Sequence, residues 1–362
     1  MIPAYEPWIT DLEKKYVMEA MDSGWISSNG KFLEEFELKF AAYIGVNYAV
    51  ATTSGTTACH LALEACGLSS DDEVIIPNTT FIATANACRY ANLHVSLCDI
   101  NKKDWNMDLV QLEAMIGPFT KAVYAVHLYG AMNNMDELKA LCEKYNLILI
   151  EDACEVLGGT WLGRKAGSFG TAACFSFYGN KTLTTGEGGM LVTNDREVYQ
   201  RAKLLRGQGQ TERYFHPVVG YNYRMTNTVA AIGVAQLERV DEIMAEKKRV
   251  FERYKENFAL SQDIYGQQIH PKCEHSYWVY VVRFEEEDQR ERAEDALKEK
   301  QVETRRCFYP INSLPPYRSC RTSNDLYNSY LLHNTGLVLP SHPTLKDNDI
   351  DMISEVIIKN CK

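Results

Sequence analysis

A chain of 362 residues exceeds the ~250 to 300 residues at which a single hydrophobic core usually stops growing, so more than one lobe is expected. Its content of 46% hydrophobic, 24% charged and 11% aromatic residues is that of a packed globular protein and excludes a disordered or fibrous one. A formal net charge of -10 argues against nucleic-acid partners and anionic membrane surfaces.

The eleven cysteines are odd in number, scattered through predicted helices and strands, and form no C-x-x-C pair. Reduced thiols are expected, not a disulfide framework. The start, MIPAYEPWITDLEKKYV, has prolines and acids where a signal peptide needs a basic end and an apolar run, and no stretch approaches membrane-spanning length. The expectation is a soluble cytoplasmic protein without a nucleic-acid or membrane partner.

In chain order, EKKYVMEAMDSG and FLEEFELKFAAYIG carry helical spacing, with Phe32, Phe36 and Phe40 on one face as core candidates and Gly45 at the stop. Short apolar runs then alternate with amphipathic stretches: NYAVAT before TACHLALEACG, EVIIP before FIATANACRYA, HVSLCDI, AVYAVHLYG before NMDELKALCEKYN, and LILIEDA. This alternation predicts an α/β fold with a mostly parallel sheet covered by helices on both faces. Ligands gather at the carboxyl ends of such strands, so site residues should follow the apolar runs. One long charged helix, VAAIGVAQLERVDEIMAEKKRVFERYKENFA, is predicted next. After it, YWVYVVRF, a helix near RERAEDALKEK, and LVLP read as a smaller α+β lobe. The expected division is 1–240 for the large lobe and 241–362 for the small C-terminal one.

Three stretches carry chemistry. In LILIEDACEVLGG an apolar strand ends at Asp152, which a turn or helix cap explains unless the carboxylate has a partner. In ATTSGTTACHLAL a strand runs into a helix start, where Gly55, Thr56 and Thr57 offer unpaired N–H groups and partial positive charge to a phosphate. Simple capping by Ser54 or Thr56 explains the same residues. In FSFYGNKTLTTGEGGM, Lys181 follows a strand and a tight Tyr178-Gly179-Asn180 turn. A lone loop lysine is ordinarily a solvated charge. Its company is different here: one carboxylate, one phosphate cradle, and Ser176 as a further phosphate donor. That set suits pyridoxal phosphate, with Asp152 on the ring nitrogen and Lys181 as a partly desolvated amine. Glu187 either ties down its own loop or meets substrate.

Competing motifs fail. At residues 179 to 182 Asn180 stands where a P-loop requires glycine and the upstream glycine spacing is absent, no G-x-G-x-x-G follows the first strand, no G-x-S-x-G appears, and no His or Cys cluster has metal spacing. No metal is expected.

These motifs occur in order with IPAYEPWIT, GWISSNG, DEVIIPNTTFIATANA, HLYG, GYNYRMTNTVAAIGVAQLERVD and VETRRCFYPINSLPPY. Together they make the chain resemble the fold-type I pyridoxal-phosphate sugar aminotransferases of the DegT and StrS family over almost its whole length. The resemblance implies that Lys181 binds the cofactor covalently and shuttles the proton, and that Asp152 pairs with the ring nitrogen. It also implies that Phe81 stacks on the ring and that Glu155 lies on its hydroxyl side. Gly55, Thr56 and Ser176 match phosphate contacts. Asn222 matches a residue that reaches the cofactor phosphate of the neighbouring subunit, which implies a homodimer with shared active sites.

At the level of branches, the relevant stretches are E-D-x-x-E-x-L-G with Leu157 where many relatives have His, H-S-Y-W at 275–278, and T-R-x-x-F-Y-P at 304–310. They look most like the branch that moves the amino group of L-glutamate, through pyridoxamine phosphate, to C4 of GDP-4-keto-6-deoxymannose, giving GDP-perosamine. Arg306 and Cys307 depart from the usual Pro-Phe of that loop. Enzymes acting on dTDP- or UDP-linked 4-keto-6-deoxyglucose are the runner-up. Lys181 disfavours the related sugar dehydratases, where histidine replaces it, and intact Lys181 and Asp152 disfavour a non-catalytic nucleotide-sugar-binding regulator. His127, Tyr221, Arg224, His275 and Tyr309 are substrate-side candidates, each with a structural role as an equal alternative. Arg224 has the planar fork that suits a pyrophosphate or carboxylate.

Overall fold

The computed structural model describes residues 1–361. Helix α1 (Asp11–Asp22) opens with a capping box, in which the Glu13 carboxylate accepts the Thr10 backbone N–H at 2.7 Å. Helix α2 (Lys31–Ile44) stops at Gly45, whose φ of 82° is the left-handed conformation that glycine adopts without a Cβ clash. Its phenylalanine face is buried: the Phe36 and Phe40 rings lie 5.1 and 5.3 Å from Phe177, and Phe40 lies 5.0 Å from Phe175. Burying each ring is worth roughly 2 to 3 kcal/mol. The cluster therefore anchors the segment that leads to Lys181.

The strands of the two larger sheets are β1 (Tyr48–Thr52), β2 (Glu73–Pro77), β3 (His94–Cys98), β4 (Thr120–Val126), β5 (Ile148–Asp152), β6 (Ala172–Ser176) and β7 (Gly189–Thr193). Further on come β8 (Ile264–Gly266), β9 (Tyr280–Phe284), β10 (Arg305–Arg306), β11 (Arg321–Thr322) and β12 (Gly336–Leu339). The large sheet has the order β1-β7-β6-β5-β4-β2-β3-β11. It is parallel except where β7 runs antiparallel to both β1 and β6. Alternate residues divide between two buried clusters: Ala49, Ala51, Val123 and Ala125 in one, Val50, Ala122 and Tyr124 in the other. That is the period of two for a sheet covered on both faces.

A second sheet, β8-β9-β12-β10, has its own buried cluster around Tyr254, Phe284 and Leu337. The two regions of chain are interleaved. Strand β11, late in sequence, pairs with β3, and Ile2 bridges to Val302.

The single long helix predicted over 229–259 is instead two, Asn227–Glu238 and Val240–Phe258, parted at Arg239 with φ −106° and ψ 11°. The Arg239 guanidinium meets Glu13 at 2.9 Å and Glu242 at 3.0 Å, which ties the break to α1. Apolar periodicity runs through the break, so the pattern alone reads as continuous. Among the described residues the eleven cysteines form no disulfide, and no helix is long and apolar enough to cross a membrane.

Candidate active site

Strand β5 ends at Asp152, at the carboxyl edge of the sheet where connecting loops converge. The buried carboxylate is held on both oxygens. One accepts the Thr84 hydroxyl at 2.6 Å, from helix α4 (Ala83–Tyr90), and the other accepts the Cys154 N–H at 3.1 Å.

Helix α3 (Gly55–Ala65) begins beside it. Ser54 caps the helix by accepting the Thr57 N–H at 3.2 Å, and the Thr57 hydroxyl accepts the Ser54 N–H at 3.0 Å. Thr57 is thus spent on the cap and does not line the cavity. Gly55 packs so closely under β6 that a Cβ there would lie 2.7 Å from the Ser176 Cβ. The first N–H groups of a helix have no intrahelical partner, so Gly55, Thr56 and the Ser176 hydroxyl form a cradle suited to an anion.

Lys181 follows the turn in which its own N–H donates to the Tyr178 carbonyl at 2.8 Å. The indole N–H of Trp278 donates to the Asn180 carbonyl at 2.8 Å, and the Lys181 Nζ stands 3.9 Å from the Trp278 ring centroid. Turn and indole together aim the amine into the crevice, with a cation–π contact along its side.

These groups share one cavity of about 520 Å³. Its floor is Asp152, Cys59 and Cys154; its anion end is Ser54, Gly55, Thr56 and Ser176; Lys181 and Glu155 project into it. Phe81, Phe308, Tyr129 and Trp278 form an aromatic wall, with Phe308 stacked on Tyr129 at 5.3 Å and 6.0 Å from Phe81. Arg305 and Arg306 stand exposed at the mouth. Burial pushes the Glu155 carboxyl up to about 7, while the Lys181 charge pulls the other way; one oxygen accepts the Tyr129 N–H at 2.9 Å. An anion cradle, a buried acid, an aromatic face and one amine make a donor set that fits pyridoxal phosphate.

Of the residues expected from the sequence, the structure brings together Lys181, Asp152, Gly55, Thr56, Phe81, Glu155 and Ser176. Others lie elsewhere. His127 is fully buried beneath the sheet's edge, where it donates to Glu151 at 3.0 Å and accepts the Asn133 N–H at 3.2 Å. Glu151 in turn accepts the N–H groups of Gly167, Phe169 and Gly170, so this pair braces a loop and does not line the cavity. His275 accepts the Tyr277 N–H at 2.9 Å and packs on Phe251 at 4.6 Å. Burial, with the nearby Lys247 charge, pushes it down to about 3, and it does not line the cavity. Tyr221 stacks on Tyr223 at 4.9 Å, Tyr309 packs on His333 at 4.1 Å, and Arg224 bridges to Thr52; none of the three lines the cavity. Asn222 is exposed and also lies outside its own chain's cavity.

Sequence reasoning passed over Thr84, Tyr129, Trp278, Arg305 and Phe308. The signal for four of them was present: HLYG, H-S-Y-W and T-R-x-x-F-Y-P mark the right neighbourhood, but Tyr129, Trp278, Arg305 and Phe308 line the cavity while His127, His275 and Tyr277 are buried outside it. Nor did spacing reveal that the sulfurs of Cys59 and Cys154 and an Asp152 oxygen lie within 4.8 Å of one another.

The sequence profile of the DegT/DnrJ/EryC1/StrS aminotransferase family matches residues 7–358. The chain is 45% identical over 355 residues to the GDP-perosamine synthase of Caulobacter vibrioides, spanning 96% of this chain and 95% of that one. It is 40% identical over 361 residues to the GDP-perosamine synthase of Escherichia coli O157:H7, spanning 98% and 97%. Its fold matches a crystal structure of GDP-4-keto-6-deoxymannose-3-dehydratase with a trapped PLP-glutamate geminal diamine at a TM-score of 0.93, with 26% identity over 99% of this chain and 100% of that one. The cavity's donor set, the family profile and the cofactor held by that neighbour agree: the chain belongs to the DegT/DnrJ/EryC1/StrS aminotransferase family and is a pyridoxal-phosphate-dependent sugar aminotransferase.

Proposed function

We propose that the protein transfers the amino group of L-glutamate to C4 of GDP-4-keto-6-deoxymannose, giving GDP-perosamine. The observation that carries this reading is the 45% and 40% identity to two GDP-perosamine synthases over nearly the entire chain. It favours the GDP-linked substrate over dTDP- or UDP-linked 4-keto-6-deoxyglucose. Lys181 in the cavity speaks for transamination over dehydration or mere binding.

Pyridoxal phosphate, when bound, supplies an aldehyde for the incoming amine and a ring that stabilises carbanionic charge. The chain does the rest. In this proposal Gly55, Thr56 and Ser176 bind the phosphate, and Phe81 covers one face of the ring. Asp152, fixed by Thr84 and the Cys154 N–H, holds a proton on the ring nitrogen. The Lys181 amine takes a proton from the donor's α-carbon and, in the second half, delivers one at C4 of the sugar. Trp278 and the Asn180 turn keep that amine in line, a positioning role that lowers the entropic cost of each transfer. Arg305 and Arg306 at the mouth suit the pyrophosphate of a nucleotide sugar.

Asn222, exposed and not among the residues lining its own chain's cavity, fits a homodimer in which it completes the neighbour's site. We assign residues 1–240 to the cofactor-binding lobe and 241–362 to the small lobe, a division supported by the separate sheet and core of the latter. Eleven cysteines without a disulfide among the described residues support a cytoplasmic setting.

The test offers L-glutamate with the GDP-, dTDP- and UDP-linked 4-keto-6-deoxy sugars and follows 2-oxoglutarate. Turnover of the GDP-mannose derivative is expected. Turnover of only the dTDP or UDP sugar would overturn the substrate while leaving the reaction class standing.

A further inference from the structure

We propose that Cys59, Cys154 and Asp152 form a site for a thiophilic divalent cation of the Zn²⁺ and Cd²⁺ class, and that the ion and pyridoxal phosphate exclude one another. The three donor atoms, two sulfurs and a carboxylate oxygen, lie within 4.8 Å of one another in the floor of the cavity. Tetrahedral zinc takes thiolate sulfur at ~2.3 Å and carboxylate oxygen at ~2.0 to 2.2 Å, so small side-chain rotations close this set around an ion.

The surroundings match what such a site needs. Cys59 and Asp152 are buried, Cys154 is half-buried, and all three face the cavity, which leaves an entry path and an open fourth position for water. Outer groups already fix the carboxylate: Thr84 donates to one Asp152 oxygen at 2.6 Å and the Cys154 N–H donates to the other at 3.1 Å. On binding, both thiols become thiolates and release their protons to solvent. An ion held by Cys59, Cys154 and Asp152 in the cavity floor would compete both for the carboxylate that would receive the N–H of a pyridinium ring and for the space that ring would fill, which is the basis of the exclusion. Only this exclusion rests on the function proposed above; the cation site stands on the donor geometry.

Full-length protein freed of cofactor and kept under reductant is titrated with Cd²⁺, and the sulfur-to-cadmium charge-transfer absorbance in the ultraviolet is followed. One ion per chain is expected in the wild type and in Cys142→Ser, whose thiol lies in another part of the core. Cys59→Ser and Cys154→Ser are each expected to lose the band, and protein reloaded with pyridoxal phosphate should not develop it. The half-buried Cys154 keeps the test decisive should Cys59→Ser fold poorly. No band at one equivalent, or a band that survives Cys154→Ser, overturns the site. A full band in the cofactor-loaded protein overturns the exclusion. Failure to take up pyridoxal phosphate at all would instead sink the function, with the cadmium band intact.

Discussion

Thr84 shows how much of this site depends on one hydroxyl. It donates to Asp152 at 2.6 Å with both groups buried, so its removal strands a carboxylate oxygen at a cost of about 1 to 3 kcal/mol. Thr84→Val, of similar shape, is expected to weaken pyridoxal phosphate binding by about tenfold or more, since ~1.4 kcal/mol is a factor of ten. Titrating cofactor-free protein and following the visible absorbance measures this, and unchanged affinity would contradict the placement of Asp152. Thr84 was hidden from sequence reading because a threonine early in a helix has many ordinary uses, and only the fold brings it to a residue 68 positions away. Lys181, Asp152 and Gly55 were legible because strand ends and helix starts fix where such residues emerge. For His127 and His275 the motif gave the neighbourhood but not the direction. Which member of HLYG or H-S-Y-W faces the cavity is decided by packing, with Tyr129 forced to a φ of 55° between Glu155 and Phe308.

Among the elements, the helix Val240–Phe258 carries a charged residue on its buried side. Lys247 is 3% exposed, and its ammonium donates to the Ser341 carbonyl at 3.0 Å, just beyond β12. Burial pushes its pKa from 10.5 down to about 7. The folded chain therefore gives up this proton at lower pH than the unfolded chain does. Below about pH 7 both states are charged and the folded state bears the full desolvation cost. As pH rises from about 7 towards 10.5 the unfolded state binds more protons, so this group's contribution to stability rises. The limiting effect is of order 5 kcal/mol. Lys247→Met is expected to gain most stability near pH 6 and progressively less towards pH 10, read from denaturant midpoints. An equal gain at both would contradict a buried, titrating amine. The strands and most helices were legible as alternating apolar runs. The break at Arg239 was not, because it is imposed by an ion pair with Glu13 in a helix over two hundred residues earlier.

At the scale of the whole molecule, the sites are proposed to be shared between subunits, with Lys181 from one chain and Asn222 from the other. Lys181→Ala and Asn222→Ala chains should each be impaired alone. Mixed in equal amounts and allowed to exchange, half the dimers become hybrids with one intact site, restoring about a quarter of wild-type activity. No recovery, in mixtures proven to exchange subunits, would contradict sharing. Sequence could only point to this through resemblance, since an exposed asparagine has no local signature of a partner.

The proposed function depends on a covalent bond from the Lys181 Nζ to the cofactor, with the Asp152 carboxylate at the ring nitrogen. The most direct measurement treats the cofactor-loaded protein with borohydride, digests it, and locates the phosphopyridoxyl group by peptide mass. The peptide containing Lys181 should carry it, and no other. Its appearance on a different lysine, or on none, would contradict the assignment.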